Sequence, residues 1–456
     1  MIPRTLILVA VLIAGCTAST ATPSPAPSGR PATPVPSPPI SAEWTEYHRD
    51  ASRSGTGPSS PALSSPSVAW KTSVDGDVYA SPLIVRGHVI VATENDTVYS
   101  LDLFTGSVIW MIHLGEPVDS ASLPCGDIGP FSGITGTPAA DPATGRLYVV
   151  AFLRGRHHML YGLSLVDGSV TLQQDVDPAG SDPAVQQQRG ALAIGSGFVY
   201  VPLGGLYGDC GAYRGYLVAA PLSGGPALIY RVPSARGAGF WSAAGPVVDP
   251  AGNVYVVSGN STAPPSAFDY SNSVIELSAD LQSVRSFFAP ANWRELNAGD
   301  VDLGSLGATL LASGDVVSVG KEGIAYLLRG SRLGGIGGQV AARQVCGGAF
   351  GGTAVLGATV FVPCTEGLYA LAVSSGGIGV SWHVPHPALG SPITSAGALW
   401  GIEASSATLY ALDPTDGKVL YSTGLGRAEH FSTPAATDGF VVAPAGRSVL
   451  AVLTAG

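Results

Sequence analysis

The chain has 456 residues, among them 61 glycines and 36 prolines, and only 12% are charged; this composition points to turn-dense β structure, a class in which one unit runs well past average domain length. A net charge of −10, with no cluster of lysine or arginine outside the first residues, argues against a phosphate-tracking surface and so against nucleic acid as a partner. Although 46% of the residues are apolar, no run of 18 or more follows the first fifteen, so the hydrophobicity is spread over many short strands.

Residues 1–16 read as an address. Arg4 supplies a positive start, the apolar stretch LILVAVLIAG at 6–15 is too short to span a bilayer, and Ile13-Ala14-Gly15-Cys16 resembles the lipobox of bacterial lipoproteins. Cleavage before Cys16 would leave its sulfur to carry membrane lipid, an extracytoplasmic anchor that attaches without spanning. Residues 17–43 are almost wholly Ala, Thr, Ser and Pro, with Arg30 the one charge before Glu43. Such a segment has too little apolar surface to offset chain entropy and is expected to be a disordered, extended tether. The folded domain is then expected over 44–456.

Inside it the dominant signal is self-similarity. VYSLDLFTGSVIW at 98–110 and LYALDPTDGKVLY at 409–421 match closely, and weaker copies stand at 160–172, 216–230, 274–287, 325–340 and 368–382. Each copy is an alternating strand, a turn carrying Asp or Gly, and a second alternating strand. A further hairpin precedes each, as in SPLIVRGHVIVAT at 81–93, so the unit has four strands and about 52 residues. The fold expected is all-β: an eight-bladed β-propeller of four-stranded antiparallel blades. The last repeat stops at VLAVL, 449–453, without a fourth strand. SPSVAW at 65–70 is expected to supply it, so that the N-terminal strand closes the ring.

The Leu-Asp-x-x-Thr-Gly-x-x-x-Trp form at 101–110, with WTEYHRDASRSGTGP at 44–58, resembles the repeat and leading segment of quinoprotein-like propellers. Relatives of that family include pyrroloquinoline quinone (PQQ) dehydrogenases and the scaffold propeller of the outer-membrane barrel-assembly machinery. The turn aspartate and glycine would join the third and fourth strands, and the aromatics Trp110, Tyr230, Trp382 and Tyr421 would pack between blades.

In an antiparallel blade the start of the first strand and the end of the second lie at one end, so the loops found there converge on a central funnel. Trp241 leads into the fourth blade and Asn260 ends its second strand; Asp300 and Asp302 lead into the fifth and Lys321 ends its second strand. The resemblance implies a stacking platform at Trp241, a calcium ligand at Asn260, a catalytic base at Asp300 or Asp302, and a cofactor-contacting amine at Lys321. An o-quinone trianion needs cations nearby, and a carboxylate would take the alcohol proton during hydride transfer. Two positions depart from that pattern. The family's adjacent cysteine pair is reduced to Cys125-Gly126-Asp127, and its calcium-binding Glu falls where Asp209 and Cys210 stand. Asp209 could still ligate calcium, whereas an oxidised Cys210 could not, and no CxxCH haem motif is present.

Other constellations are weaker. His157 and His158 are neighbours whose side chains point to opposite faces of a strand, there is no Gly-x-Ser-x-Gly elbow, and GGIGG at 334–338 opens no helix. With Cys16 lipidated, four cysteines remain in an oxidising location. Cys346 and Cys364 flank one hairpin of the sixth blade and are expected to pair. Cys125 leads into the second blade and Cys210 ends the second strand of the third, which places both on the funnel face and pairs them. Two functions follow for a monomeric chain: a binding or scaffold module taking a protein, glycan or small ligand at the funnel face, or a PQQ- and calcium-dependent alcohol dehydrogenase passing electrons to a separate carrier.

Overall fold

Apart from the copy at 325–340, each repeat copy forms the outer half of one antiparallel blade. In the first blade the strands are Leu83–Val85, His88–Ala92, Thr97–Asp102 and Val108–His113, paired in sequence order. The inner strands are buried on both faces because neighbouring blades cover them, whereas the outermost alternates: in Val108–His113, Trp110 is buried and Val108, Ile109 and Met111 are exposed. The computed structural model describes residues 42–264 and 266–455, all within the compact unit Ile40–Gly456. The expected signal peptide, Cys16 and the tether up to residue 41 lie outside the described residues.

Eight such blades form the ring, with innermost strands Leu83–Val85, Ala139–Asp141, Ala193–Gly195, Val247–Val248, Thr309–Leu310, Ala354–Leu356, Ile393–Ser395 and Ala435–Thr437. The eighth blade is completed by Ser67–Ser73, antiparallel to Ser448–Leu453 in a register running from Ser67↔Leu453 to Ser73↔Ser448. The ring thus closes by joining the two ends of the chain, as the missing last strand implied.

Neighbouring blades are locked by outer-strand tryptophans. Trp70 donates its indole N–H to the Leu103 carbonyl of the next blade (2.8 Å), Trp110 to Leu165 (3.3 Å) and Trp382 to Pro414 (3.1 Å). At each site the ring lies over the glycine of the neighbour's turn. Gly168 has φ +73°, and a Cβ there would stand 2.6 Å from the Trp110 ring. Tyr230 reaches Phe240 in the loop leading into the next blade, whereas Tyr421 lies against Trp400 of its own blade.

The fifth blade departs from the expected copy at 325–340. Its outermost strand is Ala341–Gln344, paired with Ile324–Leu328. The Gly-rich stretch instead places Gly335–Ile336 in parallel beside Val284–Ala289 of the fourth blade. Gly334 and Gly335 both adopt positive φ, which turns the chain outward before the outermost strand forms.

The segment before the ring is a strap through its centre. Backbone N–H groups of Ile84, Ala140, Val248, Leu310, Val355 and Thr394, one on each of six innermost strands, donate to the carbonyls of Trp44, Thr45, Ala51, Ser52, Ser54 and Gly55. Ile194 of the third blade donates to the Glu46 carboxylate (3.1 Å), and Thr437 of the eighth reaches the Ala42 carbonyl. Residues 42–55 therefore touch all eight blades. Arg53, 1% exposed, anchors the strap by an ion pair with Glu46 at 2.8 Å. Burial pushes the neighbouring His48 down to about 3, so its ring is neutral and Nδ1 bonds the Thr353 carbonyl at 2.8 Å.

Candidate functional site

A cavity of about 510 Å³ opens at the funnel end of the ring. Its walls come from the loops that lead into blades two to six and eight, together with the loops that end the second strands of blades three and five, the geometry the antiparallel order requires. Trp241, Asp300, Asp302 and Lys321 all line it, and so does Asp209. The structure thus brings together five of the six expected non-cysteine residues.

The fifth-blade group is held from several sides. The loop leading into this blade carries a short helix, Trp293–Ala298, and beyond it Asp300 sits at φ +54°. Asp302, only 3% exposed, accepts from the Asn260 backbone N–H at 2.5 Å and from Lys321 Nζ at 2.6 Å. Lys321 Nζ also lies 3.5 Å from the Asp300 carboxylate and 5.6 Å from the centre of the Trp241 ring. Burial opposes the charge on Lys321, but Asp302 and Asp300 outweigh it and raise the ammonium's pKa. Gly259 makes the close approach possible, since a Cβ there would stand 2.4 Å from Asp302 Oδ1 and 3.0 Å from Trp241 Nε1. Asn260 contributes through its backbone, and its side chain does not line the cavity.

The opposite wall holds a cluster for which no role was expected. Arg189, 8% exposed, donates to Asp127 Oδ1 at 2.7 Å and to Gln187 at 3.1 Å, and lies 3.1 Å from His430 Nε2. His430 Nε2 is also 3.2 Å from Asp127 Oδ2. Although burial raises it, His430 and Arg189 hold the Asp127 carboxyl down at about 2. Phe431 lies under the Arg189 guanidinium at 5.6 Å, and Phe350 faces Trp241 at 6.5 Å. A sequence signal for these residues existed: each is a charged or aromatic residue in a loop leading into a blade, the rule that found Trp241 and Asp302.

The third wall is stapled. Cys125 and Cys210 form a disulfide with a Cα–Cα distance of 6.1 Å, linking the loop that leads into the second blade to the end of the third blade's second strand. Leu206, Tyr207, Gly208 and Asp209, just before Cys210, form the cavity wall. Cys346 and Cys364 pair on the sixth blade with a Cα–Cα distance of 6.2 Å. Both pairings are those expected.

At Asp302 the cavity offers a calcium ion no free carboxylate oxygen. Asp302 is bound on both oxygens by Asn260 and Lys321, and Asp209 Oδ1 accepts the Tyr213 hydroxyl at 2.5 Å. An ammonium thus stands where a divalent cation would need free carboxylate oxygens. Among the described residues, a trio of acidic and imidazole ligand atoms within mutual reach is found at His157, Asp175 and Asp177, which do not line the cavity. His157 is exposed and His158 buried, the opposite-face arrangement expected of neighbours in a strand.

Beneath the funnel, Glu94 ends the second strand of blade one and accepts from the Gly133 N–H at 2.7 Å and the Thr135 hydroxyl at 3.2 Å. Burial pushes its carboxyl up to about 7, with those hydrogen bonds working against the rise. Because the folded-state value is raised, the stability this group adds is fully present below its unfolded value near 4.5 and is lost as pH rises through about 7. Glu94→Gln should flatten the fall in thermal midpoint between about pH 4.5 and 7. An unchanged pH profile would show that Glu94 does not set it.

Residues 62–294, just over half of the chain, match the family described as outer membrane protein assembly factor BamB. No curated protein matches the sequence. Solved structures that resemble it include a quinohemoprotein alcohol dehydrogenase from Pseudomonas putida HK5, at 14% identity and a TM-score of 0.72 over 91% of this chain and 80% of that one. A europium-containing methanol dehydrogenase is similar at 13% identity and a TM-score of 0.70, over 88% of this chain and 89% of that one. BamB from Moraxella catarrhalis matches at 13% identity and a TM-score of 0.59, over 85% of this chain and 99% of that one. The match over 62–294 and the closed ring of eight four-stranded blades together establish that the chain belongs to the PQQ-like β-propeller family.

Proposed function

We propose that the protein is an extracytoplasmic binding module, attached to the membrane through lipid on Cys16, that takes its ligand in the funnel cavity as a monomer. The observation that carries this reading is the state of the cavity's carboxylates. Asp302 is engaged on both oxygens, Asp127 is paired with Arg189, Asp209 accepts from Tyr213 on one oxygen and Asp300 lies 3.5 Å from Lys321, so each of the cavity's aspartates already has a partner within the protein. Two disulfides fit an oxidising compartment. Among the described residues no helix is long and apolar enough to cross a membrane, which is compatible with attachment by lipid.

The dehydrogenase is the second reading, favoured by the convergence of Trp241, Asp302 and Lys321 in one cavity. A bound quinone would supply the electron acceptor for hydride transfer. Trp241 would offer it a ring face and Lys321 a positive charge, and Trp241→Ala and Lys321→Ala would each weaken it. Calorimetry with PQQ, with and without calcium, and dye reduction with primary alcohols separate the two readings. The binding module gives no alcohol-dependent dye reduction under either condition. Turnover that needs both PQQ and calcium would replace it with the dehydrogenase.

The anchor has its own test. Cys16→Ser leaves no thiol to acylate and should move the protein from the membrane fraction to the soluble one, since tethering by a lipid chain scales at about 0.8 kcal/mol per buried methylene. Unchanged fractionation would overturn lipidation as the attachment.

A further inference from the structure

We propose that the ligand of the funnel cavity is a neutral oligosaccharide of about two or three rings, an inference that rests on the binding-module reading. Size sets the first limit: a cavity of about 510 Å³ lies within the roughly 300–1,000 Å³ of ordinary small-ligand sites and is too confined for a folded partner. Three aromatic rings line it: Trp241 and Phe350, with centres 6.5 Å apart, and Phe431. These give flat apolar faces for the C–H surface of pyranose rings.

Charge decides among the ligands that would use aromatic faces. Four aspartates line the cavity against Arg189 and Lys321, so its acidic groups outnumber its permanent cations. A polyanion would enter a site already rich in carboxylate. A cationic ligand meets the opposite obstacle, because Asp127 faces Arg189 at 2.7 Å and Asp302 faces Lys321 at 2.6 Å. An ammonium at Asp127 or Asp302 would have to break that pair, and the other two aspartates already meet the Tyr213 hydroxyl (Asp209, 2.5 Å) and Lys321 Nζ (Asp300, 3.5 Å).

Hydroxyl groups need no such break. A carboxylate has about four acceptor sites, a guanidinium five N–H donors and an ammonium three, so the exposed parts of Asp127, Asp300 and Lys321 can meet hydroxyls without giving up a partner. A sugar hydroxyl both donates and accepts, and neighbouring hydroxyls on one ring match the spacing of an acceptor beside a donor. Each ion pair lies beside an aromatic ring, Arg189 5.6 Å from Phe431 and Lys321 5.6 Å from Trp241, so a sugar stacked on either face would meet polar groups at its edge.

The test is calorimetry on the full propeller with maltotriose, cellotriose, mannotriose and chitotriose, alongside PQQ and spermidine as anionic and cationic probes. At least one saccharide is expected to bind, with little change on raising salt to about 0.5 M, since a neutral ligand forms no screened ion pair. Trp241→Ala and Phe350→Ala should each weaken it at least tenfold, about 1.4 kcal/mol, with unchanged thermal midpoints showing that both variants fold. Saccharide binding that neither variant alters would place the site elsewhere and overturn the inference. Binding of PQQ or spermidine alone, lost in Trp241→Ala, would overturn the saccharide and leave a binding module. Binding of none of the six would remove both readings.

Discussion

Arg53→Ala is expected to lower the stability of the propeller by about 3–5 kcal/mol, the loss typical when one partner of a buried ion pair is removed. The guanidinium is 1% exposed and its partner Glu46 6%. It bonds Glu46 at 2.8 Å, the Pro246 carbonyl at 3.0 Å, the Leu192 carbonyl at 2.8 Å and the Tyr47 carbonyl at 3.2 Å. One side chain thus joins the strap to the third and fourth blades. Burial already pushes the Glu46 carboxyl up, with Arg53 pulling against it, so alanine would leave Glu46 favouring its protonated form. Arg53→Lys should recover little, because one ammonium lacks the planar fork that reaches acceptors on both blades. Thermal and urea midpoints measure the effect. A loss below about 1 kcal/mol would show that the strap is held by its backbone bonds alone, and full recovery with lysine that the charge, not the fork, is what matters.

The strap shows where the sequence stops being legible. The ring could be read from 98–110 and 409–421 because a strand, turn and strand is a local pattern that repetition amplifies. Closure could be read because the last repeat lacks a strand. Residues 44–58 were recognisable as a leading segment, but nothing in them says that their carbonyls serve the innermost strands, since those partners lie up to hundreds of residues away. The same limit divides the site. Asp300, Asp302 and Lys321 belong to one blade, so strand order alone places them together. Asp127, Arg189 and His430 come from loops of the second, third and eighth blades, and Arg189 and His430 are 241 positions apart. Their contact exists only once the ring has closed. The fifth-blade copy at 325–340 failed for another reason: Gly334 and Gly335 turn the chain so that Gly335–Ile336 pairs with the fourth blade and not with Ile324–Leu328.

Replacing both Cys125 and Cys210 by serine is expected to cost roughly 4–5 kcal/mol, the chain-entropy value for freeing a loop of this length. The two cysteines are 85 positions apart, whereas Cys346 and Cys364 are separated by 18, so the same change there should cost about 1 kcal/mol less. The two bonds also differ in what they hold. Cys346–Cys364 closes a hairpin within the sixth blade, whose strands Ala354–Leu356 and Thr359–Cys364 pair without it. Cys125–Cys210 ties loops of two blades, and the residues just before Cys210 are a cavity wall. On that wall Asp209 sits at φ +52°, held by the Tyr213 hydroxyl and by Arg236 through its backbone carbonyl, so hydrogen bonds will keep part of its position after the sulfur bridge is gone. The Cys125 and Cys210 pair of substitutions should therefore weaken ligand binding in the funnel as well as stability, and more than the Cys346 and Cys364 pair, whose loop carries Phe350 but keeps its hairpin pairing. Non-reducing peptide mapping verifies the pairing, and calorimetry on both double variants below their melting midpoints reads the difference. Equal binding by the two variants would show that the wall at 206–209 stands without its staple.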